Sequence, residues 1–229
     1  MSAQLSRILI ALCGIFGTVL LGLYFAVGFS VGLAQLSAAA TQAQVVSIAT
    51  QYHTLWFLGT WLQATGSLLS VIFFLALVQR AGATARLAGL LTIVGSAVLL
   101  AVVLIEGVFT IDLAQAAVNG HQVTSLTSFD IMTVFTYIYP IVPAPVIFLA
   151  LGTILLGSDL LPRVFGLLAF GLGIAFAVVG LIALFTTPIL TIVVLSLQAL
   201  WVLAAAIMWL VRTRTVSDAP GQASPGSGS

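Results

Sequence analysis

The sequence predicts an all-α, polytopic transmembrane bundle of six helices with both termini in the cytoplasm. The 229 residues are 62% hydrophobic and 5% charged, with a mean hydropathy of +1.29, which leaves too little polar surface to cover a soluble core. All six cationic side chains are arginines in or beside alternate gaps between long apolar runs, and they are Arg7, Arg80, Arg86, Arg163, Arg212 and Arg214. Because cytoplasmic loops retain Lys and Arg, these gaps and both termini are predicted to lie inside.

Each apolar run reaches or exceeds the roughly 20 residues that a spanning helix needs. The runs are 8–33, 52–78, 87–112, 129–156, 163–186 and 188–211. The first is too long for the roughly 7–15-residue apolar region of a cleaved signal peptide, so it is predicted to be a retained helix. The tail 215–229 is rich in Ser, Gly, Pro and Ala and is predicted to be disordered. One six-helix domain over 1–214 accounts for the rest.

Short patches recur in the same order at an offset of roughly 75–80 residues. One example is Arg86-Leu-Ala-Gly-Leu-Leu91, which matches Arg163-Val-Phe-Gly-Leu-Leu168. We interpret the pattern as three tandem helical hairpins, 1–80, 81–158 and 159–214, although the small alphabet of membrane helices is an alternative source of such similarity. The middle hairpin differs from the first in three added carboxylates: Glu106, Asp112 and Asp130.

The second run carries a polar stripe with alternating steps of three and four residues, which places its members on one helix face. These residues are His53, Trp56, Thr60, Gln63, Ser67 and Ser70. A polar stripe in a membrane helix faces protein or water, not lipid. It therefore indicates either hydrogen bonding between helices or the lining of a cavity open to the outside.

Glu106 lies about 20 residues into the third run, near the outer edge of the hydrocarbon. An ionisable group there is costly unless it is protonated, paired or hydrated. The carboxylate either extends to the headgroups or belongs to a polar pocket. Asp130 is predicted to lie in the first turn of the fourth helix, where it complements the helix dipole.

The fourth run is predicted to kink or break near its middle, because proline removes backbone donors and clashes with the preceding turn. The residues concerned are Tyr137, Tyr139, Pro140, Pro143 and Pro145. We expect the Tyr137–Pro140 segment to be irregular and to form one wall of the pocket.

Metal and cofactor signals are weak. The candidate metal ligands His53, Glu106, Asp112, His121 and Asp130 show no recognisable metal-binding spacing. The chain has no lysine, which excludes lysine-linked cofactors, and no CxxCH haem attachment sequence. Cys13 is the only cysteine, so no intrachain disulfide can form, and a net charge of +1 argues against nucleic acid as a partner.

The stretch from Arg86 to Pro145, with Leu104-Ile-Glu106-Gly-Val-Phe-Thr-Ile-Asp112 and Tyr139-Pro-Ile-Val-Pro-Ala-Pro145, resembles a group of uncharacterised multipass bacterial membrane proteins of the domain-of-unknown-function kind. The resemblance covers most of the second to fifth helices. It implies six helices in a bacterial inner membrane and brings no activity with it.

The leading functional hypothesis is an outward-facing polar pocket that binds or passes a small ligand, ion or lipid. Its predicted residues are Glu106, His53, Trp56, Thr60, Gln63, Asp130 and Tyr137. The alternatives are an accessory or structural membrane subunit that acts through helix contacts, and a metal-dependent intramembrane enzyme, which lacks a recognisable activated nucleophile. The sequence leaves homo-oligomerisation open.

Overall fold

The computed structural model describes residues 3–30, 41–183 and 189–217, and within these ranges all regular secondary structure is helical. The helices are α1 (Ala3–Ser30), α2 (Gln42–Gln51), α3 (His53–Arg80), α4 (Leu87–Val118), α5 (Gln122–Ile141), α6 (Pro143–Leu156), α7 (Arg163–Ala183) and α8 (Ile189–Ser217). Five of them, α1, α3, α4, α7 and α8, are long and apolar enough to cross a membrane. The fold is thus compatible with a multi-pass integral membrane protein.

The long helices pack in a closed ring that follows their order in the chain. Helix α1 contacts α3, α3 contacts α4, α4 contacts both α5 and α6, α6 contacts α7, and α7 contacts α8. Helix α8 returns to pack against α1 and closes the ring. At this closing seam a Cβ added to Gly14 would lie 2.7 Å from the Cβ of Ala206, so the two helices approach closely.

One end of the bundle, which we call the arginine end, joins the first and last helices to the connecting turns. Arg80 Nη2 donates to Ser6 Oγ at 3.0 Å, and Trp209 Nε1 donates to the Arg7 carbonyl at 3.3 Å. Arg212 Nη1 donates to the carbonyls of Asp159 and Leu160, at 3.2 Å each. The start of α1 and the last turns of α8 therefore lie at the same end.

The half of the bundle nearer the arginine end has a solid aromatic core. Phe148 of α6 is fully buried and lies at its centre. Its ring contacts Phe74 with centroids 5.8 Å apart, Phe176 at 5.8 Å and Trp201 at 5.6 Å. Side chains from α3, α6, α7 and α8 thereby fill the middle of the bundle.

The opposite end is closed by a second apolar cluster, which we call the cap cluster. Its members are Val45, Ala49, Trp56, Leu113, Ala114, Ala117, Phe129 and Met132, from α2, α3, α4 and α5. Helix α2 lies between the first two apolar runs and is not one of the six predicted helices. A capping box starts it, because Thr41 Oγ1 accepts from the Gln44 backbone and the Gln44 side chain accepts from the Thr41 backbone. Burial of Val45 and Ala49 then holds it on α4 and α5.

The predicted break near the middle of the fourth run is confirmed. Helix α5 ends at Ile141 and α6 begins at Pro143, with Val142 as the non-helical junction (φ −117°, ψ −68°). The 137–140 segment, predicted to be irregular, is helical backbone within α5. Pro143 fits at the first position of α6 because the first N–H groups of a helix have no intrahelical partner.

Several predicted helix ends were also wrong. Helix α4 continues six residues past 112 to Val118, and α5 begins at Gln122 rather than at 129. At 32 residues α4 is about 48 Å long, well beyond a hydrocarbon core of about 30 Å. Helix α8 continues to Ser217, whereas 215–217 were assigned to the tail. The remaining tail residues, 218–229, lie outside the described part of the chain.

Candidate functional site

Glu106 of α4 and Gln63 of α3 form a buried polar pair. Gln63 Nε2 donates to Glu106 Oε2 at 2.9 Å. The exposed fraction is 8% for Glu106 and 9% for Gln63. Two residues 43 positions apart, both predicted to belong to one polar group, are thus brought into direct contact.

This pair lies at a level where the outside of the bundle is apolar. On α4 the residues beside Glu106 that face outward are Leu104 and Val108, exposed by 59% and 62%. On α3, Trp61 lies two residues before Gln63, and its side chain is 58% exposed on the outer surface. The outer surface near the pair is therefore apolar and carries a tryptophan, a residue enriched where hydrocarbon meets the headgroups.

Thr60 of α3, and Tyr24 of α1, which contacts α3 at Gly59, lie about one turn from Gln63. The ring of Tyr24 in α1 lies against α3, where a Cβ added to Gly59 would be 3.7 Å from Tyr24 Cδ2. A Cβ added to Gly107 would be 2.8 Å from Thr60 Cγ2, so this glycine lets α3 and α4 approach beside Glu106. The Thr60 hydroxyl donates to the Trp56 carbonyl at 3.0 Å.

Neither helix of the pair supplies a basic residue at this level. The chain contains no Lys or Arg between Arg7 and Arg80, or between Arg86 and Arg163. Arg80 is about 25 Å from Gln63 along α3, and Arg86 is about 30 Å from Glu106 along α4. Arg80 and Arg86 therefore lie at the arginine end, far from the pair.

His53 lies apart from this pair, in a cleft at the cap end. The cleft has a volume of about 370 Å³ and is lined by His53, Phe57, Ala114, Gln115, Val118 and Asn119, and we call it the α3–α4 cleft. His53 Nδ1 is 3.2 Å from the Thr50 carbonyl and Nε2 is 3.2 Å from Thr54 Oγ1, so both ring nitrogens have local partners. Ten residues, or about 15 Å of helix, separate His53 from Gln63.

The other two carboxylates also have separate surroundings. Asp112 is half-buried and accepts a short hydrogen bond from Ser128 Oγ, which joins α4 to α5. Asp130 is exposed and lies in the third turn of α5, so its predicted place in the first turn of a helix is wrong. Helix α5 begins at Gln122, after the turn that contains Gly120 (φ +77°) and the exposed His121.

Trp56 is buried in the cap cluster, and its indole Nε1 has no hydrogen-bond partner among the described residues. The side chain of Tyr137 lies outside the described part of the chain. The candidate metal ligands do not converge: among the residues the structure describes, no group of three or more His, Cys, Asp or Glu side chains could hold a metal ion.

Most of the stripe on α3 is turned inward. Gln63, Ser67 and Ser70 are buried, and Ser70 Oγ donates to the Gly66 carbonyl at 2.9 Å. A Cβ added to Gly17 of α1 would lie 2.7 Å from Ser70 Oγ, so this part of the stripe is tightly packed. The stripe therefore changes along α3 from packed hydroxyls near the arginine end to the Gln63–Glu106 pair.

Sequence reasoning missed Tyr24 as a member of the site. The available signal was its position in α1 in a stretch of apolar residues, at a depth similar to that of Glu106. Comparison with known proteins adds no further residue: no family model matches the chain, and no curated protein or solved structure matches it either.

Proposed function

We propose that the chain crosses a bacterial plasma membrane six times, with the broken α5–α6 unit as the fourth crossing. The arginine end then faces the cytoplasm with both termini, and the cap faces outward. The hydrogen bonds of Arg80, Trp209 and Arg212 support this arrangement because they gather the basic gaps at one end. Single cysteines in place of Ser47 in the cap and Thr84 in the turn after α3, each in a Cys13→Ala background, test it, since both positions are exposed. A membrane-impermeant maleimide added to whole cells should label the first and spare the second.

We propose further that the protein binds a small ligand from the outside at the Gln63–Glu106 pair, which we call the Glu106 site. The observation that carries this proposal is a buried carboxylate held by an amide at membrane depth, without a Lys or Arg nearby on either helix. Charged groups at this depth are expensive, and they mark ligand and ion sites in membrane proteins.

The α3–α4 cleft is the proposed entrance. It lies at the cap end of the same two helices whose deeper turns carry Gln63 and Glu106. Its polar residues, Gln115 and Asn119, are exposed. Phe57 lies one helical turn from Thr60, on the side nearer the cap cluster. A ligand entering here would pass along the contact between α3 and α4, where Gly107 and Thr60 approach closely.

The test is ligand-induced thermal stabilisation of purified protein in mild detergent, over a panel of inorganic ions, amines, organic acids and lipid headgroup analogues. We expect at least one compound to raise the unfolding temperature of the wild type and of Asp130→Asn, which removes an exposed carboxylate of the cap. The same compound should have no effect on Glu106→Gln. If the response of Glu106→Gln matches that of the wild type across the panel, the Glu106 site is not a ligand site.

The second candidate is an accessory or structural subunit that acts through helix contacts, and the packed part of the α3 stripe supports it. The Ser70 and Thr60 hydroxyls bond to carbonyls of their own helix, so they are satisfied at a helix interface and need no ligand. A stoichiometric partner that co-purifies with both the wild type and Glu106→Gln, together with no response to the panel, is the expected result for that role.

A further inference from the structure

We propose that Arg86 and Arg163 each bind the phosphate of an anionic phospholipid, whose acyl chains lie along the exposed apolar side of the helix that follows the arginine. The inference concerns the arginine end of the bundle and is independent of the Glu106 site. It rests on the proposed membrane crossing, in which these helices contact lipid, and the proposed orientation assigns both sites to the cytoplasmic leaflet.

The two arginines occupy the same place in two matching stretches of structure. Arg86 immediately precedes α4, and Arg163 is the first residue of α7. Each is followed three residues later by a buried glycine. A Cβ added to Gly89 would overlap a carbonyl of the turn before α4, and one added to Gly166 would lie 2.9 Å from a backbone nitrogen of α6. Because the glycine side of each helix is packed, the opposite side faces outward.

The outward side of each helix carries an apolar stripe that begins beside the arginine. Its positions lie one, four, five and eight residues after the arginine, a spacing that places them on one helix face. The exposed members are Leu87, Leu90, Leu91 and Val94 on α4, and Val164, Leu167 and Leu168 on α7. The stripe on α4 extends over about 10 Å. Each arginine with its stripe therefore matches a charged headgroup joined to apolar chains.

Both guanidinium groups are available to a ligand. The side chains of Arg86 and Arg163 are exposed, and within the described part of the chain neither has a hydrogen bond or ion pair. In contrast, Arg80 donates to Ser6, and Arg212 donates to two backbone carbonyls. A guanidinium group binds phosphate through two parallel N–H···O bonds, which makes arginine well suited to a phospholipid headgroup.

The charge of the arginine end favours an anionic lipid over a zwitterionic one. Every arginine of the chain lies at this end. Among the acids that the structure describes, Asp159 alone lies there, and it is exposed. A phosphatidylglycerol headgroup brings one negative charge to this surface. A phosphatidylcholine headgroup adds a cation that the neighbouring arginines repel.

Native mass spectrometry of the purified protein in mild detergent tests the inference, because it counts the lipids bound to each molecule. The probes are phosphatidylglycerol and phosphatidylcholine with the same two oleoyl chains. Glycerol 1-phosphate, which has the phosphate without the chains, is the competitor that separates a lipid from a free phosphate compound. The variants are Arg86→Gln, Arg163→Gln and the double variant. Arg80→Gln is the matched control, since it removes the same charge from the same end.

We expect the wild type to bind phosphatidylglycerol at least about fivefold more tightly than phosphatidylcholine, which corresponds to ~1 kcal/mol. Each single Gln variant should lose part of this preference, and the double variant should bind the two lipids equally. Arg80→Gln should keep the preference. Affinity for phosphatidylcholine should be the same in all the proteins, which shows that the variants are folded. Glycerol 1-phosphate should not displace phosphatidylglycerol at equal concentration.

Three results would overturn the inference. Equal binding of the two lipids by the wild type would show that the arginines do not select a charged headgroup. An equal loss of preference in Arg80→Gln and Arg86→Gln would mean that the attraction is spread over the whole arginine end. Displacement by glycerol 1-phosphate at equal concentration would identify a soluble phosphate compound as the ligand. The Glu106 site is tested by other variants, so its failure and the failure of this inference are distinguishable.

Discussion

The first prediction concerns how much the Gln63–Glu106 hydrogen bond contributes to the free energy of unfolding. Gln63→Leu removes the amide that donates to Glu106 at 2.9 Å, and both groups are more than nine-tenths buried. Loss of a donor to a buried charged group costs about 1.5–3 kcal/mol. Glu106→Leu leaves the neutral amide of Gln63 without its acceptor, and hydrogen bonds between membrane helices average about 0.6 kcal/mol with a maximum near 1.7 kcal/mol. The double variant removes both groups, so its cost should be far below the sum.

A double-mutant cycle measures this coupling. Reversible unfolding in mixed micelles, followed by far-ultraviolet circular dichroism, gives the free energy of unfolding of the four proteins, and we expect a coupling of about 1–3 kcal/mol. Leu104→Ala, on the lipid-facing side of α4, is the matched control, and its effect should add to that of Gln63→Leu within about 0.5 kcal/mol. A Gln63–Glu106 coupling no larger than that of the control pair would refute the reasoning.

Three further tests concern the aromatic core, the α6–α7 contact and the hydrogen bond between α4 and α5. Phe148→Ala empties the centre of the aromatic core and should lower the free energy of unfolding by about 3–5 kcal/mol in the same micelle assay; a loss below about 1 kcal/mol would mean that the core is loosely packed. Gly152→Ala places a Cβ 2.7 Å from a backbone nitrogen of α7 and should lower the free energy of unfolding by about 1–3 kcal/mol. Gly171→Ala is the control and should not lower it, because nothing lies within 4 Å of that Cβ. Equal effects of the two substitutions would contradict the close approach of α6 and α7. Ser128→Ala should cost about 1 kcal/mol through the half-buried Asp112, and an Asp112→Asn background should remove most of that cost.

Membrane character could be predicted from sequence because it depends on length and composition alone. A run of about 20 apolar residues has few alternatives to a spanning helix. Helix α2 does not follow that rule, since it is short and polar on its exposed side, with Gln42, Ser47 and Gln51 facing water. Its signals were local: Thr41 three residues before Gln44, and Val45 with Ala49 four residues apart. A search for capping boxes would have found it.

The site could be predicted only in part. The stripe on α3 and the isolated charge on α4 indicated that Gln63 and Glu106 face the interior, and a shared interior favours contact. The place of Tyr24 depends on the rotation of α1 against α3, which a single apolar helix does not reveal. The separation of His53 from Glu106 depends on the lengths of α3 and α4. Because α4 was predicted to end at 112 rather than at Val118, this separation was not predicted.

The closure of the ring by α1 and α8 has a consequence for biosynthesis. Every other major helix contact joins segments that are neighbours in the chain or nearly so, and such contacts can form while translation continues. The hydrogen bond from Trp209 to the Arg7 carbonyl joins residues 202 positions apart. During synthesis, one side of α1 therefore contacts lipid until α8 has been inserted. A ribosome that stalls before α8 would therefore leave an open arc of helices, whose uncovered flank at Gly14 is the surface on which quality-control proteases and insertion chaperones can act.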